Sequence, residues 1–219
     1  METVRTSAAP AQDDDRIRVL GVILAGGRAR RLGGGDKALV EVGGRAMLDH
    51  VIAALAPQVG TLVLNANDDP ARFAQWGLPV VADEVPDQGP LGGLLAGMRH
   101  ARAHLPAVRY ILTVPVDAPF LPPDLGRRLG EAMPGEGVTI AVAQSGGRLH
   151  HVIALWPVGL EAALNDALGR GVRRVEAFAA AQGVHVVDWP LAGYDPFMNV
   201  NTPADLAHAH KILKLMLAT

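Results

Sequence analysis

The sequence predicts an α/β fold with three layers, in which helices cover both faces of a mostly parallel central sheet. Three apolar runs, at residues 19–25, 61–65 and 110–114, are continuous rather than alternating, which is typical of strands buried on both faces of a parallel sheet. Helical patterns separate these runs, and such alternation favours a doubly wound sheet. Together these features indicate a single Rossmann-like α/β/α domain.

The remaining elements extend this pattern along the chain. In the first half of the chain, the sequence also predicts a helix at 46–56, a strand at 78–82 and a helix at 90–105. A short helix is expected from residue 70, because Asp69 can cap it and Pro70 suits its first position. The second half predicts strands at 138–143, 149–156 and 184–187, helices at 158–168 and 172–182, and a last helix from 203 that Thr202 caps. Because residues 145–147 read Ser-Gly-Gly between two of these strands, we expect a small antiparallel element in the C-terminal half.

Composition narrows the class of protein. The chain has 219 residues, no cysteine and a formal net charge of −2. The lack of cysteine excludes disulfides and thiolate metal sites, and the balanced charge gives no reason to expect nucleic acid or an anionic membrane as a partner. Residues 1–16 lack the apolar stretch of a signal peptide, and no apolar run is long enough to span a bilayer. We therefore expect a disordered leader at 1–16, one domain at 17–219 and a cytoplasmic location.

A glycine-rich loop follows the first strand and carries the strongest chemical signal. After Leu24 and Ala25 come Gly26 and Gly27, then three arginines, three further glycines and Lys37. Glycines let backbone N–H groups wrap an anion, and the cations match a triphosphate. The alternative is a flexible turn whose arginines are solvated, but ligands on open α/β sheets lie beyond the carboxyl ends of strands, which favours phosphate binding.

Two familiar nucleotide loops do not fit this segment. A P-loop requires Gly-Lys-Ser/Thr, whereas Lys37 is followed by Ala38. The dinucleotide fingerprint Gly-x-Gly-x-x-Gly fails at the paired glycines, and the second strand ends in Asn65 rather than in the acidic residue that would hold a ribose. The loop is therefore a third kind of phosphate-binding segment.

The motif Leu-Ala-Gly-Gly-x-x-x-Arg-x-Gly followed by lysine resembles the signature of nucleotidyltransferases with a glycosyltransferase-A-like Rossmann fold. Further matching segments are Asp36-Lys37, Asn65-Ala66-Asn67, Gly89-Pro90-Leu91, Asp117-Ala118-Pro119 and Asn199-Val200-Asn201-Thr202-Pro203. With these segments the chain is similar to the molybdenum cofactor guanylyltransferases from about residue 21 to 207. The resemblance implies a Mg²⁺-dependent enzyme with GTP and molybdopterin as substrates, and it suggests cofactor biosynthesis proteins or apo-molybdoenzymes as partners.

Asp117 follows a predicted strand, and Asn65 and Asp83 stand at the ends of two others. A carboxylate at Asp117, in a turn flanked by prolines, can hold Mg²⁺, and the resemblance assigns it that role; the alternative is a turn-capping aspartate. The resemblance places nucleotide contacts at Asn65 and Asp83. A carboxylate at Asp83 can accept both adjacent N–H donors of guanine, which cytosine lacks, although it can equally cap a helix.

The other candidates lie on the phosphate and acceptor sides. Lys37 and Arg31 are candidates for holding the phosphates and offsetting charge on the leaving group, while residues 24–27 are expected to contact the nucleotide. The resemblance puts Asn199 and Asn201 near the active cleft on the acceptor side; alternatively, Asn201 shapes the turn before the last helix. Asp124 is expected to serve the start of the helix that follows it.

The pair His150 and His151 cannot readily bind one metal ion, because neighbouring residues of a strand point to opposite faces. We expect one ring to be exposed and the other to point inward. The similar family usually reads His-Pro at this point, so His151 is a departure that affects the expected shape of the second-substrate pocket.

The expected reaction is attack of the molybdopterin phosphate on the α-phosphorus of GTP, with release of pyrophosphate. An anionic nucleophile requires no general base, which fits a sequence without an obvious Ser-His or Cys-His constellation. Positioning and charge neutralisation by Mg²⁺, Lys37 and Arg31 would then supply the catalysis. The alternatives are a cytidylyltransferase for the same cofactor, a sugar-phosphate nucleotidyltransferase, and a non-catalytic GTP-binding adaptor for molybdoenzyme maturation.

Overall fold

The computed structural model describes residues 18–26, 32, 34–67, 69–133 and 139–216. The predicted leader lies outside these residues. The strands are β1 (Val19–Leu24), β2 (Glu41–Val42), β3 (Arg45–Ala46), β4 (Thr61–Asn65), β5 (Val80–Val81), β6 (Tyr110–Pro115), β7 (Ile140–Ser145), β8 (Arg148–Pro157) and β9 (Val184–Trp189). The α-helices are α1 (Met47–Leu55), α2 (Pro90–His104), α3 (Leu125–Glu131), α4 (Glu161–Gly169), α5 (Val175–Gln182) and α6 (Pro203–Met216). Short 3₁₀ helices occupy Lys37–Leu39, Ala56–Gln58, Pro70–Trp76 and Val158–Leu160.

The central sheet has seven strands in the order β5-β4-β1-β6-β8-β7-β9. The β5-β4-β1-β6 half is parallel throughout, β8 is antiparallel to both of its neighbours, and β9 is parallel to β7. The predicted α/β class with a mostly parallel sheet is confirmed. The β7–β8 hairpin is the antiparallel element expected around residues 145–147, and it forms part of the central sheet.

Apolar side chains on both faces of the sheet explain why helices cover it on two sides. On β1, Ile23 packs in the cluster that includes Leu48 of α1 and Leu125 of α3. Leu20 and Val22 point the other way, into the cluster formed with α2, α4 and α5. Successive residues of a strand alternate between faces, so a continuous apolar run is what a doubly covered strand requires.

A third, smaller cluster fixes α6 beside the end of β6. Its members are fully or almost fully buried: Val42, Met47, Phe120, Val200, Ala209 and Ile212. Val200 lies between the two asparagines of the Asn-Val-Asn motif, so burial of this one side chain anchors the segment that carries them. No helix among the described residues is long and apolar enough to cross a membrane.

Three predicted elements differ in detail. The strand expected at 78–82 is reduced to β5, because Pro79 has no N–H to donate to a ladder and contributes only its carbonyl, to Leu64 N at 2.9 Å. The helices expected at 158–168 and 172–182 begin later as α-helix, at 161 and 175. The hairpin β2–β3 was not predicted, although its turn residues Gly43 and Gly44, with φ of 64° and 78°, suit a tight two-residue turn.

Candidate functional site

The carboxyl ends of the parallel strands meet at one edge of the sheet. The register pairs Leu24 at the end of β1 with Asn65 on one side and Pro115 on the other. Beyond the strands, Ala25 N donates to Asn65 O at 2.8 Å and Val116 N donates to Leu24 O at 3.1 Å. The start of the glycine loop, the end of β4 and the segment leading to Asp117 therefore lie side by side.

Lys37, Asp117 and Asn201 form a cluster at this edge. The Lys37 ammonium donates to Asp117 Oδ2 and to Asn201 Oδ1, and the side chains of Lys37 and Asp117 are 13% and 11% exposed. Within the described residues the Asp117 carboxylate has no other hydrogen-bond partner, so it does not cap a turn there. A nearly buried carboxylate, an ammonium and an amide oxygen thus converge from segments that are far apart in the sequence.

Hydrogen bonds between neighbouring segments hold the three side chains in place. Val200 N donates to Asp117 O at 2.8 Å, which ties the Asn-Val-Asn motif to the end of β6. At the start of α6, the N–H groups of Asn201 and Thr202 donate to Asp205 Oδ2 at 3.0 and 2.8 Å, and Asp205 N donates back to Thr202 Oγ1. This is the predicted cap. The N–H of Asn201 also contributes most to holding the pKa of the Asp205 carboxyl below its usual value.

Lys37 stands at the start of a 3₁₀ helix that Asp36 stabilises. Asp36 Oδ1 accepts from Ala38 N at 3.0 Å, and Asp36 Oδ2 lies 3.1 Å from Arg72 Nε. The cap and the ion pair fix the backbone from which the lysine side chain reaches Asp117. Asp36 therefore has a structural role next to the site.

Asn65, the last residue of β4, and Asp83, which follows β5, lie in contact. Asn65 Nδ2 donates to Asp83 Oδ1 at 2.8 Å and to Val81 O at 3.1 Å. Asn67 donates from Nδ2 to Asp83 Oδ2 at 3.0 Å and accepts from Asp83 N at 2.7 Å. Because Gly89, not Asp83, precedes α2, the helix-capping alternative for Asp83 does not apply to that helix. Two amide donors instead fix the orientation of its carboxylate.

Helix α2 approaches this pair through two glycines. A Cβ at Gly92 would lie 2.7 Å from Asp83 Oδ2, and a Cβ at Gly93 would lie 2.2 Å from Asn65 Oδ1. Only glycine permits this approach, which brings the carboxylate against the positive end of the helix dipole. Neither glycine was a predicted site residue, although a Gly-Gly pair inside a helical pattern is a signal of close packing.

The structure describes only part of the glycine-rich loop and its predicted site residues. Gly27 and Arg31 lie outside the described residues, as do the neighbouring Arg28 and Arg30. Leu24 ends β1 half-buried, Ala25 is buried and Gly26 is exposed. The structure therefore brings together Lys37, Asp117 and Asn201, and separately Asn65 and Asp83, on the same edge of the sheet.

A cleft of about 340 Å³ adjoins the cluster. Asn199 lines it, as do Pro90 at the start of α2 and Pro115 at the end of β6. Its cationic lining comes from Arg148, Arg173 and Arg174, against one carboxylate, Glu176. The cleft is thus suited to an anionic ligand, and Asn199 faces it while Asn201 faces Lys37.

The two adjacent histidines differ in burial, but neither is exposed, whereas one exposed ring was predicted. His150 is 9% exposed, and its Nε2 lies 2.8 Å from Ser145 Oγ, which in turn donates to Asp195 Oδ1 at 2.7 Å. His151 is half-buried, and both residues contribute to the lining of the cleft. No three His, Cys, Asp or Glu side chains in the described part of the chain are grouped as metal ligands would be.

The Ser145–His150–Asp195 contact was not predicted, because Asp195 lies in an irregular segment without a recognisable pattern. The hydrogen bonds run from His150 to Ser145 to Asp195, whereas in a hydrolytic triad the histidine stands between the serine and the aspartate. Here the serine stands in the middle and gives its proton to the carboxylate, so the histidine cannot activate it as a nucleophile.

Asp124 directly precedes α3, as predicted, but its side chain makes no capping bond to the helix. Its Oδ1 accepts from Trp189 Nε1 at 3.0 Å. The side chain therefore ties the helix start to β9 instead of capping it.

Comparison with known proteins gives consistent matches. The family model for the MobA-like NTP transferase domain matches residues 21–187. The molybdenum cofactor guanylyltransferase of Rhodopseudomonas palustris (strain BisB5) is 52% identical over 193 residues, which cover 87% of this chain and 92% of that protein. The counterpart from Bradyrhizobium sp. (strain ORS 278) is 50% identical and covers 89% and 92%.

Among solved structures, molybdopterin-guanine dinucleotide biosynthesis protein A from Archaeoglobus fulgidus superposes with a TM-score of 0.71 at 22% identity, covering 90% of this chain and 100% of that one. At this identity the likeness concerns the fold. The family model and the relatives at about half identity extend over most of the sequence and agree with each other. The chain belongs to the molybdenum cofactor guanylyltransferase family and contains a MobA-like NTP transferase domain.

Proposed function

We propose that this protein transfers GMP from GTP to the phosphate of molybdopterin, the molybdenum cofactor, releasing pyrophosphate and forming the guanine dinucleotide cofactor. The observation that carries the proposal is the Lys37 ammonium shared between Asp117 and Asn201 at the carboxyl edge of the sheet. The relatives at about half identity bear the corresponding enzyme name.

The phosphates of GTP would bind between the glycine loop and Lys37. An ammonium carries three N–H donors, and Lys37 uses two of them for Asp117 and Asn201, which leaves one for a phosphate oxygen. We assign Leu24, Ala25, Gly26 and Gly27 to the loop that wraps the phosphates, and we assign Arg31 to the charge on the departing pyrophosphate.

Asp117 is the proposed ligand for Mg²⁺. This ion binds one or two carboxylates together with waters and substrate phosphate oxygens, rather than an all-protein cage. One buried carboxylate beside the phosphate loop fits that donor set. A related fold from Mycobacterium tuberculosis, with a TM-score of 0.60 and 18% identity over 89% of this chain and 98% of that one, is described in complex with manganese. A bound Mg²⁺ supplies neutralisation of charge on the phosphates.

Guanine would be read by Asp83 and Asn65. Each Asp83 oxygen accepts one amide N–H from Asn65 or Asn67, and a carboxylate retains further lone pairs for the guanine N1 and N2 donors. Because the amides fix the carboxylate before a nucleotide arrives, little ordering is required on binding.

The acceptor would occupy the cleft beside Asn199, whose lining includes three arginines and one glutamate. A phosphate monoester has its second pKa near 6, so the attacking oxygen is already ionised at neutral pH and needs no general base. Asn201 would align it with the α-phosphorus, and catalysis would then consist of positioning and charge neutralisation.

Steady-state release of pyrophosphate tests this assignment, with GTP, CTP and ATP compared at saturating Mg²⁺ and molybdopterin. We expect GTP to be strongly preferred, and Asp117→Ala to lower kcat about a hundredfold or more. Asp166→Ala, an exposed aspartate on α4, is the matched control. A preference for CTP would contradict guanylyl transfer, and GTP binding without any product would favour the adaptor. Unchanged turnover in Asp117→Ala would exclude Asp117 as the metal ligand.

A further inference from the structure

The cleft beside the proposed nucleotide site contains a histidine whose hydrogen bonding the proposed reaction does not use. The cleft borders the site through Pro115 and Asn199, which stand two residues before Asp117 and Asn201. His150 lines the cleft from β8 and is 9% exposed. Its ring packs against Phe197 with centroids 5.0 Å apart.

The direction of each hydrogen bond in the chain from His150 to Asp195 can be assigned. The Asp195 carboxylate only accepts, and it takes bonds from Ser145 Oγ at 2.7 Å and from Phe197 N at 2.9 Å. A serine hydroxyl has a single proton, so Ser145 donates it to Asp195 and must accept from His150. His150 Nε2, 2.8 Å away, therefore carries a proton.

The other ring nitrogen is consequently an acceptor. Burial has the largest effect on the His150 pKa and lowers it, with Arg148 and His151 acting in the same direction and Asp195 opposing them. The ring is then neutral at physiological pH, with its proton on Nε2 and a free lone pair on Nδ1. Nδ1 has no hydrogen-bond partner among the residues that the structure describes.

We propose that His150 Nδ1 accepts a hydrogen bond from an N–H group of the acceptor substrate's heterocycle. The inference rests on the proposed function, because a reduced pterin carries ring N–H and amino donors of this kind. Ser145 and Asp195 are positioning residues: they select the tautomer that makes Nδ1 an acceptor, and they hold the ring at the wall of the cleft. His150 thereby favours a ligand with an N–H donor over one with a lone pair at that point.

Two substitutions separate this role from a structural one. In His150→Gln the amide nitrogen can still donate to Ser145, but the acceptor at the δ position is lost. In His150→Asn the carbonyl oxygen keeps an acceptor near the δ position, and the bond to Ser145 is lost. We expect His150→Gln to raise the KM for molybdopterin about tenfold, the effect of one lost hydrogen bond. The KM for GTP should stay near the wild-type value, and His150→Asn should bind molybdopterin better than His150→Gln.

A purely structural histidine predicts the reverse order, because the Ser145 bond would then matter most. His185→Gln, at an exposed position on β9, is the matched control, and melting temperatures show whether each variant is folded. Should His150→Gln not fold, Ser145→Ala replaces it; loss of the tautomer-selecting partner should also raise the KM for molybdopterin. The assignment is overturned if the folded variants keep the wild-type KM for molybdopterin, or if His150→Gln and His150→Asn raise it equally. A wild-type protein that forms no dinucleotide overturns the proposed function, and the inference with it.

Discussion

A methyl group added at Gly93 probes how tightly helix α2 is held against the proposed guanine site. In Gly93→Ala the new Cβ would lie 2.2 Å from Asn65 Oδ1, 2.6 Å from Asn65 Cγ and 2.6 Å from Leu24 Cδ2. Asn65 is 6% exposed, and its amide is held by bonds to Val81 O and Asp83. Because the Asn65 side chain is buried and hydrogen-bonded, either the helix or the amide must move to admit the methyl group.

The size of the effect follows from these contacts. Overpacking a buried site costs about 1–3 kcal/mol, and the two bonds of Asn65 contribute about 1 kcal/mol each. The preference of a helix for alanine over glycine returns about 1 kcal/mol. We therefore expect Gly93→Ala to lower the free energy of unfolding by about 3 kcal/mol.

Urea denaturation at neutral pH measures this free energy. Gly130→Ala is the matched control, because Gly130 is an exposed residue of α3 and its Cβ would meet nothing within 4 Å; it should stabilise the protein by about 1 kcal/mol. Gly93→Ala should also weaken GTP binding, since Asp83 loses a donor that orients it. Equal stability of Gly93→Ala and the wild type would refute the close approach of α2 to Asn65.

Three further predictions concern recognition, acid stability and the α6 cap. Asp83→Asn should weaken GTP binding about tenfold, through loss of charge-assisted hydrogen bonds. It should weaken ITP binding less, because hypoxanthine lacks the 2-amino group. Calorimetry measures both affinities, and an equal loss for GTP and ITP would contradict the contact between Asp83 and guanine. The His150 pKa is lower in the folded protein than its unfolded value of about 6.5, so the unfolded chain binds more protons below that pH and stability falls on acidification. Melting temperatures between about pH 7.5 and 5.5 should therefore fall less in His150→Gln than in the wild type. The pKa of His100 is also lowered, and its effect on acid stability has the same sign in both proteins. Asp205→Ala removes the carboxylate that accepts from the N–H groups of Asn201 and Thr202, and it should lower the free energy of unfolding by about 1–2 kcal/mol. Urea denaturation measures this free energy, and a much smaller loss would show that the cap does not fix Asn201.

Short-range patterns explain how much of the fold was predictable. A strand buried on both faces must be apolar at consecutive positions, which located β1, β4 and β6. Parallel strands end at the same edge of a sheet, so the position of Asn65 at the end of its strand and of Asp117 just after its strand already placed both at that edge.

The contacts inside the site depend on long-range packing and were not predictable. Lys37 meets a carboxylate 80 residues away and an amide 164 residues away, and no local pattern encodes either separation. Ser145 and Asp195 meet across 50 residues, the latter in a segment without periodicity. Asp124 was predicted from its place before a helix, but packing of Trp189 redirected its side chain.

The most direct test of the central claim is a crystal structure of the protein with GTP and Mg²⁺. We expect the metal ion on the Asp117 carboxylate, a phosphate oxygen within hydrogen-bond distance of Lys37 Nζ, and the guanine N1 and N2 groups facing Asp83. A triphosphate bound away from Lys37, Asp117 and Asn201 would contradict it.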